Sequence, residues 1–78
     1  MIPSKKLSQL KISSKAKLIG FEDDVLGNRL VEMGWIPGEN ISIENISPFG
    51  GPLIVSIGNN RYTIRKAEAQ LINCELYD

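Results

Sequence analysis

Three adjacent carboxylates, Glu22-Asp23-Asp24, are the densest group of potential ligands in the chain. Oxygen donors of this kind suit a hard cation. The residues that follow give them a different task. Leu26, Leu30 and Met33 recur at spacings of four and three, one apolar stripe of a short helix. Acids at a helix start complement its positive end, and Asp23 or Asp24 can accept hydrogen bonds from its free N–H groups. The cluster is therefore read as a helix start. A Cys/His metal site is excluded, because the chain has no histidine and a single cysteine, Cys74. No metal ligand is assigned.

Nucleophilic catalysis fares no better. Serines and Cys74 are present, but no histidine can serve as their general base. Cys74 lies in phase with Ile72 and Leu76, the pattern of a buried structural thiol. The arginines are Arg29, Arg61 and Arg65. An arginine inserted into a partner's GTP site could stabilise transition-state charge, and Arg61, near a hairpin tip, could reach outwards. Arg29 on the helix and Arg65 at a strand end suit bracing hydrogen bonds to carboxylates or carbonyls. No catalytic residue and no cofactor site is assigned, so the chain is read as a non-enzyme.

Apolar side chains in turns carry the better functional lead. Trp35 and Ile36 follow the helix stop at Gly34, and Phe49 sits in a Pro/Gly loop. An exposed patch with aromatic anchors marks a partner site. Leu26, Trp35, Ile36 and Phe49 are the expected partner-binding residues.

The elements that must position these residues follow from alternation and punctuation. Leu7 and Leu10 open the chain in a turn or short helix docked on the core. Ala16 and Leu18 mark a first strand. The helix runs from about Asp24 to Met33 and stops at Gly34, and Gly27 within it suggests close packing. Pro37-Gly38 has the chemistry of a type II turn. Ile41, Ile43 and Ile46 define the next strand, and Pro48-Phe49-Gly50-Gly51-Pro52 is a loop. Leu53, Val55 and Ile57 alternate up to the hairpin signal Gly58-Asn59-Asn60. Tyr62 and Ile64 return, Lys66 to Gln70 makes one turn, and Ile72, Cys74 and Leu76 form the last strand. About five strands with one inserted helix close most economically into a small barrel, with Ile43, Val55, Ile64 and Ile72 inward.

The 78 residues make one domain, 1–78, with an ordinary hydrophobic fraction of 42% that excludes disorder. No apolar run approaches the roughly 20 residues that span a bilayer, and the N-terminus lacks the apolar stretch of a signal peptide. The lone thiol fits a reducing compartment and points to the cytoplasm. Formal net charge is zero, which argues against a dedicated nucleic-acid binder. The charge is unevenly spread. Lys5, Lys6, Lys11, Lys15 and Lys17 crowd the first 17 residues, whereas the rest holds nine acids against four bases, a net of −5. The lysines form either a solvated segment or a handle for an acidic partner or membrane surface.

In order, these signals resemble the ferrous iron transport protein A (FeoA) family. Arg29-Leu30-Val31-Glu32-Met33-Gly34-Trp35-Ile36-Pro37-Gly38 is similar to the family's "RL-x-x-(L/M)-G-(apolar)-x-P-G" segment. Pro48-Phe49-Gly50-Gly51-Pro52 resembles its "P-x-G-G-P" loop, and Ile64-Arg65-Lys66-Ala67-Glu68-Ala69 its "(apolar)-R-x-x-E-A" segment. The chain departs from the pattern at Ile12-Ser13-Ser14, where "L-x-x-G" is common, and at Trp35, where an aliphatic residue is common. The resemblance implies a mainly β, SH3-like barrel with an inserted helix. It implies a cytoplasmic accessory of ferrous iron uptake that docks on the GTPase domain of a FeoB-type transporter and is peripheral to the membrane through that partner. An activator of the partner's GTP hydrolysis is the second expectation. A similar module ends iron-dependent repressors, which makes a metal-responsive regulator the third, although these 78 residues hold no helix-turn-helix. Self-association is a further way to cover the apolar patch.

Overall fold

The computed structural model describes residues 4–77. Six antiparallel strands and two helices follow along the chain: β1 (Ser4–Lys6), β2 (Lys15–Phe21), α1 (Asp24–Glu32), β3 (Asn40–Ile46), β4 (Leu53–Ile57), β5 (Asn60–Ile64), α2 (Lys66–Ala69) and β6 (Ile72–Leu76), with a 3₁₀ turn at Leu7–Gln9. The sheet order is β1-β6-β2-β3-β4-β5. The sheet curls around one apolar core, and α2 packs on the 3₁₀ turn between its outermost strands. This is the mainly β barrel that the alternation predicts, with one strand more. β1 has no apolar alternation to announce it. It is held by its backbone pairing with β6, Lys5 opposite Cys74.

Ile43, Val55, Ile64 and Ile72 are all buried, as are Leu7, Leu10, Ala16 and Leu18. Period-2 alternation places each on the inner face of a half-buried strand. Ile46 lies out of phase with Ile41 and Ile43, yet it stands opposite the buried Leu53 at the very end of β3, where it is partly exposed. A β-bulge between Ile43 and Asn45 shifts the register against β4, and an extra residue re-aims every side chain beyond it.

α1 begins where the acids predict. The Asp23 side chain accepts from the Leu26 N–H at 2.8 Å and caps the helix. Glu22 pairs instead with Lys6. Gly27 is buried against Phe21, whose ring carbon would lie 3.0 Å from an added Cβ. The helix ends at Glu32, one residue earlier than its apolar stripe suggests. Met33 is thus the C-cap and is half-exposed rather than core.

The hairpins obey their turn chemistry. Glu39 N–H donates to the Ile36 carbonyl at 3.0 Å across Pro37-Gly38, with Gly38 at φ +100°, a type II turn. Gly58 at φ +58° opens the two-residue loop between Ile57 and Asn60. Only the first loop residue has positive φ, the type II′ pattern that suits twisted strands.

Candidate protein-docking surface

Two of the four expected anchors lie in the core. Leu26 is 6% exposed and Trp35 0%. Leu26 shares the inward stripe of α1 with Leu30, one turn on. The burial of Trp35 follows from how the helix stops. Gly34, at φ +107°, donates to the Val31 carbonyl at 3.1 Å, and Trp35 N–H donates to the Leu30 carbonyl at 2.9 Å. This pair of bonds is a Schellman motif, which folds the chain back and sets the residue after the glycine against the last inward turn of the helix. Trp35 therefore packs inwards, in tilted contact with Tyr62 at 5.5 Å between ring centroids. Its indole N–H has no acceptor among the described residues. Tyr62 Oη donates to the Met33 carbonyl at 2.7 Å and ties the helix end to β5. Gly34 followed by an apolar residue was the sequence signal for this burial.

Ile36 and Phe49 do reach solvent. Ile36 is 45% exposed, in the turn before β3. Phe49 is fully exposed, in the loop after β3. They lie beyond opposite ends of this seven-residue strand, about 20 Å of extended chain, and the fold does not merge them into one contact point.

The Phe49 loop is closely specified. Ser47 N–H donates to the Pro52 carbonyl at 3.0 Å, and Gly51 N–H to the Pro48 carbonyl at 3.2 Å. Phe49 at φ +60° and Gly50 at φ +74° occupy the two central positions of a type I′ turn. Glycine and asparagine usually fill such positions. A phenylalanine in left-handed backbone costs about 1–2 kcal/mol. Gly51 is fixed for another reason: an added Cβ would meet Ser47 Cβ at 2.8 Å. Beside the loop, a small cleft is lined by Ser8, Ile46, Ser47, Leu53 and Lys66 together with the two glycines. Ile46, brought by the bulge opposite Leu53 at the end of β3, adds an apolar side chain at the same end of the barrel. Alternation alone could not have placed it there.

Of the chemistry considered in the sequence, the arginines brace the surface. Arg29 pairs with Glu68, and Arg61 with Glu44 at 3.3 Å. Arg65 contributes its backbone N–H to Glu68 at 3.2 Å. The hydrogen bond from Arg29, with lesser help from Arg65, holds the Glu68 carboxyl below the ordinary carboxylate range. Cys74 is buried, and desolvation pushes its thiol up to about 12. Among the described residues, no three His, Cys, Asp or Glu side chains converge on a point that could hold a metal ion, and no helix is long and apolar enough to cross a membrane.

The profile of the FeoA domain family matches residues 5–76. A FeoA-like protein from Clostridium acetobutylicum is 29% identical, with a TM-score of 0.88, over all of this chain and 92% of its own. FeoA of Stenotrophomonas maltophilia, solved with zinc, is 30% identical with a TM-score of 0.76, covering 87% of this chain and 86% of its own. That protein is described as a prokaryotic SH3 domain protein and a proposed activating factor of ferrous iron transport. A manganese-dependent transcriptional repressor shares the fold, with a TM-score of 0.87 at 14% identity, over 99% of this chain and 44% of its own. No curated protein matches.

Proposed function

The chain belongs to the FeoA domain family, and from that premise we propose that it is a non-enzymatic, cytoplasmic binding module that docks on the GTPase domain of a FeoB-type ferrous iron transporter and supports uptake. The observation that carries this reading is Phe49. A large aromatic side chain stands fully exposed on left-handed backbone at a turn tip. It contributes nothing to the core and costs strain. Strained, exposed residues of this kind persist where a surface is used for recognition, and aromatic anchors dominate protein-protein contacts. Ile46 and the cleft beside the loop extend the contact, and Ile36 marks a second apolar point at the far end of β3.

The test is Phe49→Ala and Ile36→Ser, each assayed for thermal stability and for affinity to the purified transporter GTPase domain. Phe49→Ala is expected to leave folding intact and to weaken binding by 2 kcal/mol or more, roughly thirtyfold. Ile36→Ser is expected to have the smaller effect. Normal binding by both variants would remove the docking surface, as would their simple unfolding. Measuring GTP hydrolysis in the same mixtures separates docking from activation: a rate increase that vanishes with Arg61→Ala would favour the activator reading.

A further inference from the structure

We propose that the lysine-rich side of the barrel is a direct contact surface for an anionic lipid bilayer, independent of any protein partner. Five lysines occupy the first 17 residues, and the fold brings three of them, Lys5, Lys11 and Lys15, around the end of β6. Lys5 and Lys11 flank a shallow groove with Leu10, Ser14 and Leu76. Lys15 projects from the outer face of β2, next to the buried Ala16. Lys15 joins the others through the end of β6, where its carbonyl accepts from the Tyr77 N–H at 3.5 Å. The ion pairs among the described residues engage only Lys6, Arg29 and Arg61. Lys5, Lys11 and Lys15 take part in none of these pairs. Of the nearby acids, Glu44 is engaged by Arg61, and Glu75 stands opposite Lys17 across the β2–β6 pair.

Two apolar side chains rise among these lysines. Ile12 and Tyr77 are each half-exposed. Ile12 is at the tip of the turn Lys11-Ile12-Ser13-Ser14, closed by Ser14 N–H to the Lys11 carbonyl at 3.0 Å and by Lys11 N–H to Ser14 Oγ at 3.1 Å. Ser13 takes φ +72° there and anchors the turn through its N–H to the Ile43 carbonyl at 2.9 Å. The result is a fixed projection carrying an isoleucine beside a lysine, with a tyrosine and a second lysine nearby.

This chemistry fits a bilayer better than a protein or a nucleic acid. The charges are all lysine, compact points on flexible stems, without the arginine forks that read carboxylate or phosphate geometry. Such side chains keep their heads at a headgroup layer while their stems lie along apolar surface. Each lysine near an anionic leaflet strengthens association about fivefold. A projecting aliphatic side chain and an amphipathic tyrosine at the same level can enter the headgroup boundary. The cleft beside the Phe49 loop shares no lining residue with this patch.

The experiment is co-sedimentation of the full chain, without transporter, with vesicles of phosphatidylcholine alone or with equal parts phosphatidylglycerol. At millimolar lipid the protein is expected to pellet with the anionic vesicles, to stay in solution with the neutral ones, and to be released by 0.5 M salt. Lys11→Glu with Lys15→Glu should weaken binding at least twentyfold, and Ile12→Ser several-fold, with thermal unfolding measured on each to confirm a native fold. Absence of binding to anionic vesicles overturns the proposal. So does binding that the lysine reversal leaves unchanged. If the same reversal instead abolishes capture of the transporter GTPase domain, or of a single-stranded RNA probe, while vesicles never bind, the patch is a protein or nucleic-acid site and the lipid assignment falls.

Discussion

Phe49 separates what a residue does for folding from what it does on the surface. Its ring buries nothing, so its removal forfeits no core packing. Its backbone, at φ +60°, is one that glycine adopts freely and phenylalanine does not. Relieving that strain returns about 1–2 kcal/mol, and the greater freedom of glycine in the unfolded chain takes back about 0.5–1 kcal/mol. Phe49→Gly should therefore stabilise the domain by about 0.5–1 kcal/mol, a rise in melting temperature of roughly 3–6 °C. It should also lose transporter-domain affinity as severely as Phe49→Ala. A drop in melting temperature would mean that the ring packs on the barrel, and the docking role would lose its main support. Trp35 is the converse case. Its size and its place after the helix stop suggested a surface anchor, yet Gly34 and the two helix-end hydrogen bonds turn it inwards, where its indole N–H finds no acceptor among the described residues.

At the scale of elements, the link between α1 and α2 is made by charge. Arg29, on α1, reaches Glu68, which also accepts the Arg65 N–H at the start of α2. Four residues do not hold a helix by themselves, so this carboxylate and the burial of Ala69 define the turn. The folded pKa of Glu68 lies below its unfolded value. Its contribution is therefore complete above the unfolded value near 4.5 and is lost as pH falls through the lowered folded one. Glu68→Gln should cost no more than about 1 kcal/mol at pH 7, because the pair is partly exposed. The gap from the unsubstituted chain should close as acid protonates Glu68, which denaturant titrations from pH 7 down to pH 3 would reveal; a gap that persisted at low pH would assign the loss to packing. This bridge spans 39 positions, and nothing local in the sequence announces it. The elements themselves were legible: the helix cap at Asp23, the type II turn at Pro37-Gly38 and the inner faces of β3 to β6 each follow from residue type and spacing. β1 was not, because backbone pairing defines it. Nor was the place of Ile46 opposite Leu53, because a bulge depends on the neighbouring strand. For the docking surface, turn chemistry was enough to place Phe49 and Ile36 in solvent, whereas Leu26 and Trp35 needed tertiary context.

For the molecule as a whole, one side chain reports whether the barrel opens as a unit. Cys74 is the chain's only cysteine, and it lies in β6, which is paired with β1 on one side and β2 on the other. Its thiol faces the core and is fully buried, and burial raises its pKa to about 12. Two barriers thus oppose its reaction with a disulfide reagent at pH 8: access, and the scarcity of thiolate in the folded state. Both disappear on unfolding. Loss of β1 alone would free one edge of β6 but leave the side chain covered by Leu7, Leu18 and the rest of the core cluster. Labelling should therefore require opening of the entire barrel. A domain this small is stable by about 5 kcal/mol, so labelling should be slower than in the unfolded chain by about 10³ to 10⁴. It should accelerate with denaturant along the same slope as global unfolding. Rapid labelling that ignores denaturant would instead reveal a local opening at the β1–β6 side. That is where Lys5 and Leu76 line the groove between the lysines, so the same measurement made with anionic vesicles present would show whether lipid contact holds that edge closed.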